Sequence, residues 1–303
     1  MLLKLMTYCT NVGCTILKNK VIEYLRWCYR RKQHWGEPLT FRMSEGLGIF
    51  LYPEGQIVEL LFTHKFERTE LSQVAMYLKP GMRVLDIGAN VGLYSILMGK
   101  IVGDEGVVFA FEPSSESYQR LMRNLTLNNS LNVNPEKLAV GSFVSDDVTL
   151  RRESGYKDGD RYIDKTGAED SEYAASRIDM GDSERVKTTT LDQYFYSKKY
   201  FEMSIDFIKM DIEGGELDVF LGAEKVLKDN RDVVIMFECT SENCTRIGYQ
   251  KEELFALLYN YGFEIYCWNS KRHVWKNDLN SLKLAGNIWA CRDKSRLPHI
   301  GSL

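Results

Sequence analysis

The chain of 303 residues is 44% hydrophobic and 27% charged, a balance typical of a globular protein with a large buried core. Its formal net charge of −3 at pH 7 argues against binding to nucleic acid, which normally requires a clustered positive surface. The seven cysteines include no Cys-x-x-Cys pair, which argues against the common zinc and thiol-exchange motifs. This odd, scattered set favours reduced thiols and a cytoplasmic location.

Residues 1–42 are predicted to form an N-terminal helical extension. Residues 16–29 have the pattern of an amphipathic helix, and the basic run Arg30, Arg31 and Lys32 follows it. Packing of this helix on the domain is the favoured interpretation, and peripheral contact with a membrane surface stays open as the alternative. No stretch approaches the roughly twenty apolar residues of a membrane span, so no transmembrane segment is predicted.

The main domain is predicted at residues 43–292, with a short tail at residues 293–303. Strands and helices alternate in its first half. In chain order they are a strand at 84–87, a helix at 93–102, a strand at 107–111, a helix at 116–128 and a strand at 137–140. Each strand is a short apolar run, and turn residues precede the first of them, which is typical of strands in a parallel sheet.

The second half continues the alternation after a polar interruption. Residues 152–185 are rich in Asp, Glu, Gly and Ser and are predicted to be an insertion, either a lid over the site or a solvated excursion. The later elements are a strand at 206–212, a helix at 216–228, a strand at 232–239, a helix at 250–261 and strands at 263–268 and 287–291. The whole predicts an α/β, doubly wound, mostly parallel seven-stranded sheet with a C-terminal antiparallel edge hairpin.

A glycine-bearing turn joins the first strand to the first helix of this domain. Gly88 allows the backbone to bend sharply after Asp86, and Gly92 allows a ligand or the opposing strand to approach the helix start. Asn90 replaces the second glycine of the dinucleotide-binding fingerprint, which disfavours a pyrophosphate ligand. The turn suits S-adenosylmethionine, with the backbone of Gly88, Ala89 and Asn90 lining the methionine tail. Asp86 either binds the methionine ammonium, directly or through water, or only caps the turn.

Glu112 ends the second strand of the domain, and Pro113 fixes the direction in which the chain leaves it. A carboxylate about twenty residues beyond the glycine turn is placed to accept hydrogen bonds from both ribose hydroxyls of a nucleoside. The alternative is an exposed acid at the start of a helix. Both features at this spacing favour the nucleoside site.

Acidic residues also follow the fourth and fifth predicted strands. Asp211, Glu213 and Glu238 converge above the carboxyl ends of these strands if the two strands are neighbours. Lys209 lies on the same side of its strand as Asp211 and needs a partner, which is either Asp211 or Glu238. A carboxylate of this group is expected to take the proton of an acceptor hydroxyl during methyl transfer. Mg²⁺ bound by the same oxygens is the alternative, and direct proton abstraction is favoured over it.

Four segments together resemble the FkbM-type methyltransferases, in the order of that family's motifs. They are the turn at residues 86–92, the exit Phe111-Glu112-Pro113, the run Thr189-Thr190-Leu191-Asp192 and the stretch at residues 207–216. The resemblance implies a class I fold and methyl transfer, commonly to a hydroxyl of a sugar, polyketide or other secondary metabolite. Similar enzymes often have an acid just after the third strand, where this chain has Ser142, the residue expected beside the adenine.

The leading hypothesis is an S-adenosylmethionine-dependent O-methyltransferase that acts on a hydroxyl of a sugar, glycan or secondary metabolite. A catalytically inactive nucleoside-binding module or scaffold is the alternative from another class. An NAD-dependent oxidoreductase is disfavoured by Asn90, and a nucleic-acid methyltransferase by the acidic charge balance. The identity of the acceptor and the oligomeric state are not encoded in any motif of the sequence.

Overall fold

A computed structural model describes residues 38–43, 46–52, 67–152, 161–164, 183–200, 203–269 and 272–298. The predicted helix at residues 16–29 and the last residues of the predicted tail, 299–303, lie outside this described part. At the end of the predicted helical extension, β1 (Leu39–Arg42) is instead a strand, and it pairs antiparallel with β2 (Gly48–Leu51).

A large mixed sheet forms the centre of the described structure. Its eight strands are, from one edge to the other, β13 (Val274–Lys276), β12 (Glu264–Asn269), β14 (Asn287–Cys291), β11 (Val234–Glu238), β10 (Phe207–Met210), β3 (Arg83–Ile87), β4 (Val107–Phe111) and β5 (Val133–Glu136). The five strands from β11 to β5 run parallel, and β14 runs antiparallel to both of its neighbours. The predicted fold class, a doubly wound and mostly parallel sheet, is confirmed.

The C-terminal strands lie in an order that the sequence pattern does not specify. Strands β12 and β14 pair antiparallel as predicted, and β14 lies between β12 and β11. The edge is formed by the short strand β13, which pairs antiparallel with β12 and raises the number of strands from the predicted seven to eight.

The third parallel strand was predicted at the wrong residues. The strand that pairs with β4 is β5 (Val133–Glu136), four residues before the predicted segment at 137–140. Pro135 and the polar residues beside it weaken the apolar signal of β5, and a proline is tolerated because β5 is an edge strand. The apolar residues of the predicted segment instead form β6 (Ala139–Val140) in a second sheet.

Helices cover both faces of the large sheet. They are α1 (Arg68–Tyr77), α2 (Leu93–Val102), α3 (Ser115–Leu127), α4 (Leu191–Ser197), α5 (Glu216–Leu221), α6 (Glu224–Asp229), α7 (Ser241–Ile247), α8 (Lys251–Asn260) and α9 (Leu279–Leu284). Because side chains alternate along each strand, Leu85 packs into one apolar core and Val84 into the other. Within the described chain, no helix combines the length and apolar character needed to span a membrane.

The predicted helix at residues 216–228 is two helices, α5 and α6, separated at Gly222. A Cβ atom at Gly222 would lie 2.0 Å from the carbonyl oxygen of Gly141, so the backbone of this break packs directly against the chain that follows β6. The break therefore brings residues 141–142 close to α5, beside the carboxyl ends of the parallel strands.

A second, four-stranded sheet includes part of the stretch predicted as a polar insertion. Its order is β6, β9 (Ser183–Thr189), β7 (Ser145–Arg152) and β8 (Arg161–Asp164). Ala139, Leu150 and Val186 form a small apolar cluster in this sheet. Glu184 attaches it to the start of α3 by accepting hydrogen bonds from the backbone N–H of Ser115 at 3.0 and 3.1 Å. Residues 153–160 and 165–182 lie outside the described residues.

The turn after β3 generates a test of close packing. Gly88 has φ +81°, and a Cβ at this position would lie 1.9 Å from the carbonyl oxygen of Asp211. Gly81 has a similar φ of +83° with no atom within 4 Å of its Cβ position, so it is the matched control. We expect Gly81→Ala to lower the free energy of unfolding by about 1 kcal/mol, the cost of left-handed backbone with a side chain.

Gly88→Ala should lower the free energy of unfolding by about 3 kcal/mol, because the backbone of β10 must also move away. Urea denaturation of both variants measures the difference. Equal losses for the two variants would contradict the close approach of the turn to β10.

Candidate active site

A cavity lies at the carboxyl ends of β3, β4 and β10. The strand order reverses between β3 and β10, and ligands of open α/β sheets bind at such a switch point. The large sheet contributes the turn after β3, Glu112, Lys209 and Asp211 to its lining. The second sheet contributes Arg161 and Tyr162 from β8. The two sheets therefore face one cavity.

The glycine turn is fastened to the end of β4. The N–H groups of Gly88 and Ala89 both donate to the carbonyl oxygen of Phe111, each at 3.0 Å. Asn90 has a left-handed φ of 49°, and its N–H donates to Oε2 of Glu112 at 2.9 Å. Gly88, Ala89 and Asn90 line the cavity, as does Pro113 beyond the strand.

Gly92 has a packing role. A Cβ atom at Gly92 would lie 2.5 Å from Cδ1 of Leu121, so the close approach at this position is made by helix α3. The sequence offered a ligand or the opposing strand as the close neighbour of Gly92, and the structure has helix α3 there instead.

Glu112 is held in one orientation at the end of β4. The side chain is buried, and its Oε1 accepts a hydrogen bond from the backbone N–H of Ser114 at 2.9 Å while Oε2 accepts that of Asn90. Burial raises the pKa of Glu112 to about 7, although the two backbone hydrogen bonds oppose this shift. The fixed carboxylate lines the cavity and retains lone pairs for ligand hydroxyls.

Lys209 is a buried cation between two aspartates. Its Nζ lies 3.5 Å from Oδ2 of Asp211 and 3.9 Å from Oδ1 of Asp86, and 4.8 Å from the centre of the Tyr94 ring. Burial opposes the charged ammonium, but Asp211 and Asp86 outweigh it and raise the pKa of Lys209. The sequence left Asp211 and Glu238 open as partners, and the structure shows Asp211.

Asp86 lies behind the cavity. It is fully buried, its Oδ2 accepts a hydrogen bond from Oγ of Ser95 at 2.5 Å, and burial raises its pKa. The cavity lining includes Lys209 and not Asp86. Asp86 therefore acts on the cavity indirectly, through its ion pair with Lys209.

Three carboxylates form an acidic cluster, defined as Asp211, Glu213 and Glu238. One oxygen of each lies within 4.8 Å of the others, because β10 and β11 are parallel neighbours with their carboxyl ends together. Asn243 of α7 joins two members, since its Nδ2 donates to Glu213 at 2.9 Å and to Glu238 at 3.3 Å. Such oxygen ligands are also the type that a hard divalent cation prefers.

The members of the acidic cluster differ in their partners. Asp211 pairs with Lys209, and Oε2 of Glu213 lies 3.6 Å from Nη2 of Arg246. Glu238 forms no ion pair with any described residue, and burial followed by the charge of Asp211 raises its pKa to about 8. Near neutral pH the cluster therefore holds a proton, and Glu238 is the member best suited to hold it.

Ser142, expected beside the adenine, lines the cavity after β6. Its Oγ donates to Oδ1 of Asp218 in α5 at 3.1 Å. Asp218 also lines the cavity, so Ser142 and Asp218 form a polar part of the lining beside α5.

Several polar residues of the site were not found by the sequence reasoning. Glu67 accepts a hydrogen bond from the hydroxyl of Tyr94 at 2.5 Å, and burial raises the pKa of Glu67. Glu216, an acid in the first turn of α5, is buried and accepts the N–H of Ile212 at 3.1 Å. Asn243 and Arg246 stand three positions apart on one face of α7, and this spacing is the signal that could have found them.

The matching family decides the identity of the domain. The family described as the methyltransferase FkbM domain matches residues 86–265. The chain belongs to the FkbM methyltransferase family. This confirms the resemblance seen in the sequence and makes the chain an S-adenosylmethionine-dependent methyltransferase.

Individual relatives are more distant. The methyltransferase sdnD of Sordaria araneosa is 28% identical over 216 residues, which span 66% of this chain and 79% of that protein. A SAM-dependent O-methyltransferase of Thermotoga maritima is 16% identical and aligns over 86% of this chain and 80% of its own, with a TM-score of 0.38. A SAM-dependent methyltransferase of Aquifex aeolicus is 15% identical over 74% of this chain and 87% of its own, with a TM-score of 0.39.

The buried acid Glu216 of this FkbM-family chain generates a pH-dependent test. Burial raises its pKa from 4.5 to about 8. Between these values the folded protein retains a proton that the unfolded chain has released, so this contribution to stability falls as the pH rises and is lost above pH 8.

Glu216→Gln should remove this loss, because the amide cannot ionise and its oxygen still accepts the N–H of Ile212. We expect the variant to gain at least about 1 kcal/mol relative to the native chain between pH 5 and pH 9, measured by urea unfolding at both values. Glu224→Gln, at an exposed position on α6, is the control and should show no such gain. A pH-independent difference for Glu216→Gln would contradict the raised pKa.

Proposed function

We propose that this methyltransferase transfers a methyl group to a hydroxyl on a sugar, glycan or secondary metabolite. The observation that supports this is the acidic cluster at the edge of the switch-point cavity, since a hydroxyl is a poor nucleophile until a base takes its proton. The net charge of −3 favours a small-molecule or glycan acceptor over nucleic acid.

The residues that line the cavity support one orientation of the cofactor, with its ribose at Glu112. Glu112 binds the ribose hydroxyls, the backbone at Gly88, Ala89 and Asn90 faces the methionine tail, and Ser142 lies at the adenine end. Asp86 acts on this site indirectly, by holding Lys209 and, through it, Asp211. Negative charge at the ends of β10 and β11 favours the positively charged sulfonium of S-adenosylmethionine.

Glu238 is the proposed base. When bound, S-adenosylmethionine would supply the methyl group from its sulfonium to the acceptor oxygen and would leave as the neutral thioether. The hydroxyl proton passes to the Glu238 carboxylate, whose pKa burial raises to about 8. A positioned base of this kind contributes about 10²- to 10⁴-fold to the rate, and alignment of the reacting atoms contributes much of the rest.

A divalent cation held by the acidic cluster is the alternative way to activate the hydroxyl. It would polarise the acceptor oxygen and require Glu238 to be ionised. We place direct proton abstraction first, because two of the three carboxylates already pair with a cation, Asp211 with Lys209 and Glu213 with Arg246. Turnover that persists in EDTA supports the base, and turnover that EDTA abolishes and Mg²⁺ restores supports the cation.

Binding of the product S-adenosylhomocysteine tests the proposed ribose site. Glu112→Ala should weaken its binding by about 1 to 3 kcal/mol, because charge-assisted hydrogen bonds to the ribose are lost, and calorimetric titration measures this. Asp104→Asn, at an exposed turn after α2, is the control and should bind like the native chain. Unchanged affinity in Glu112→Ala would contradict the ribose assignment, and preferential binding of NADH would revive the oxidoreductase reading.

The pH dependence of turnover tests the proposed base. With an acceptor identified by screening, kcat of the native enzyme should rise with pH through an apparent pKa of about 8, since Glu238 must be ionised to accept the proton. Glu238→Gln should lower kcat at least about 100-fold and abolish this rise while leaving S-adenosylhomocysteine binding intact.

Two other results would contradict this assignment. A Glu238→Gln enzyme with the native pH profile would remove Glu238 from the mechanism, and loss of turnover in Asp211→Asn alone would assign the base to Asp211. Cofactor binding without turnover on any acceptor would support the inactive module instead.

A further inference from the structure

Strand β8 crosses the cavity between the ribose acid and the acidic cluster. At one end, Nη2 of Arg161 lies 3.2 Å from Oε2 of Glu116 in the first turn of α3. The next residue, Tyr162, lies with its ring centre 5.5 Å from the guanidinium carbon of Arg246, which pairs with Glu213. Both residues line the cavity, so two successive positions of one strand contribute to its wall.

Arg161 has a hydrogen-bond donor without a partner. Its side chain is only 15% exposed, and Nη1 is buried with no acceptor within hydrogen-bond distance among the described residues. A buried guanidinium N–H that lacks an acceptor costs about 1 to 3 kcal/mol, so folded proteins rarely retain one unless a water or ligand completes it. Arg161 lines the cavity, so an oxygen of a ligand bound there is a candidate acceptor for this N–H.

The groups around Arg161 restrict which kind of ligand group can bind there. Its positive charge is close enough to Glu112 to lower the pKa of that carboxyl against the effect of burial. A group between them must donate to a carboxylate and accept from a guanidinium. A hydroxyl does both, whereas a carboxylate or phosphate is repelled by Glu112 and an ammonium has no lone pair for Arg161.

We propose that Arg161 is a cofactor-binding residue that donates a hydrogen bond to the ribose diol held by Glu112. This inference rests on the proposed function, in which the cavity holds the adenosyl group. Strand β8 then forms one wall of the cofactor site, and Tyr162, the adjacent residue, lies against Arg246, which pairs with Glu213.

Calorimetry with two ligands tests this contact. The probes are S-adenosylhomocysteine and its 2′,3′-dideoxy analogue, titrated into the native chain, Arg161→Ala and Arg185→Ala. Arg185 is the matched control, because it lies on the same sheet and pairs with Asp147, and both side chains are exposed. Thermal unfolding of each variant establishes that it is folded.

Arg161→Ala should weaken binding of S-adenosylhomocysteine about 10- to 100-fold, the effect of one hydrogen bond to a charged group. The same substitution should weaken binding of the dideoxy analogue less than about 2-fold, because that ligand has no diol to lose. Arg185→Ala should bind both ligands like the native chain. This pattern assigns Arg161 to the ribose.

Each other pattern overturns the inference. Native affinity in Arg161→Ala shows that Arg161 does not bind the cofactor. Equal losses for the two ligands show that Arg161 only supports the second sheet. If the native chain fails to bind S-adenosylhomocysteine, or if Glu112→Ala binds it as tightly as the native chain does, the proposed function itself fails. If instead the native chain binds it, Glu112→Ala weakens that binding and Arg161→Ala does not, only the inference about Arg161 fails.

Discussion

The arrangement of the site depends on the ion pairs that the buried ammonium of Lys209 forms with Asp86 and Asp211. Strands β3 and β10 are parallel neighbours, and their register sets Lys209 directly beside Asp86. Without a cation there, Asp86 would be a buried charge without compensation, and the loss of such a partner typically costs about 3 to 5 kcal/mol. By binding Asp211 as well, Lys209 couples the fully buried acid of one strand to the acid that faces the cavity on the next.

The same pairing determines which carboxylate is free for chemistry. Several acids surround the cavity or lie close to it, among them Asp86, Glu112, Asp211, Glu213 and Glu238. Lys209 pairs with Asp86 and Asp211, Arg246 pairs with Glu213, and backbone N–H groups hold Glu112. Glu238 is left with the amide of Asn243, and its raised pKa follows from burial beside Asp211. An acidic site of this kind suits the cationic methyl donor and the hydroxyl acceptor that we propose.

The large sheet and the ends of its strands could be predicted because the signal is local. Apolar runs of four to five residues followed by Gly88, Glu112 or Asp211 specify a strand and the residue that leaves it, and parallel strands bring those residues to one edge. Strand β5 was misplaced because an edge strand with Pro135 lacks that apolar pattern. The burial of Glu216 has no sequence signal, since an acid in the first turn of a helix is normally exposed.

The strands of the second sheet could not be predicted from the sequence, for a different reason. Its strands are polar because only one face packs, around Ala139, Leu150 and Val186, and they are separated by long Asp- and Glu-rich segments. The sequence therefore predicts no strand at β7, β8 or β9, and residues 152–185 are predicted to be an insertion. The role that we propose for Arg161 becomes apparent only in the folded structure, where β8 lies against the start of α3. Arg161 there contacts Glu116, which is 45 positions away in the chain.

A crystal structure of the chain with bound S-adenosylhomocysteine is the most direct test of this account. The account predicts both ribose hydroxyls within about 3 Å of the Glu112 carboxylate, and the sulfur atom directed toward the acidic cluster with open space for a hydroxyl beside Glu238. A ligand seated elsewhere, or a sulfur atom directed away from Asp211 and Glu238, would contradict the assignment of the cavity and of the base together.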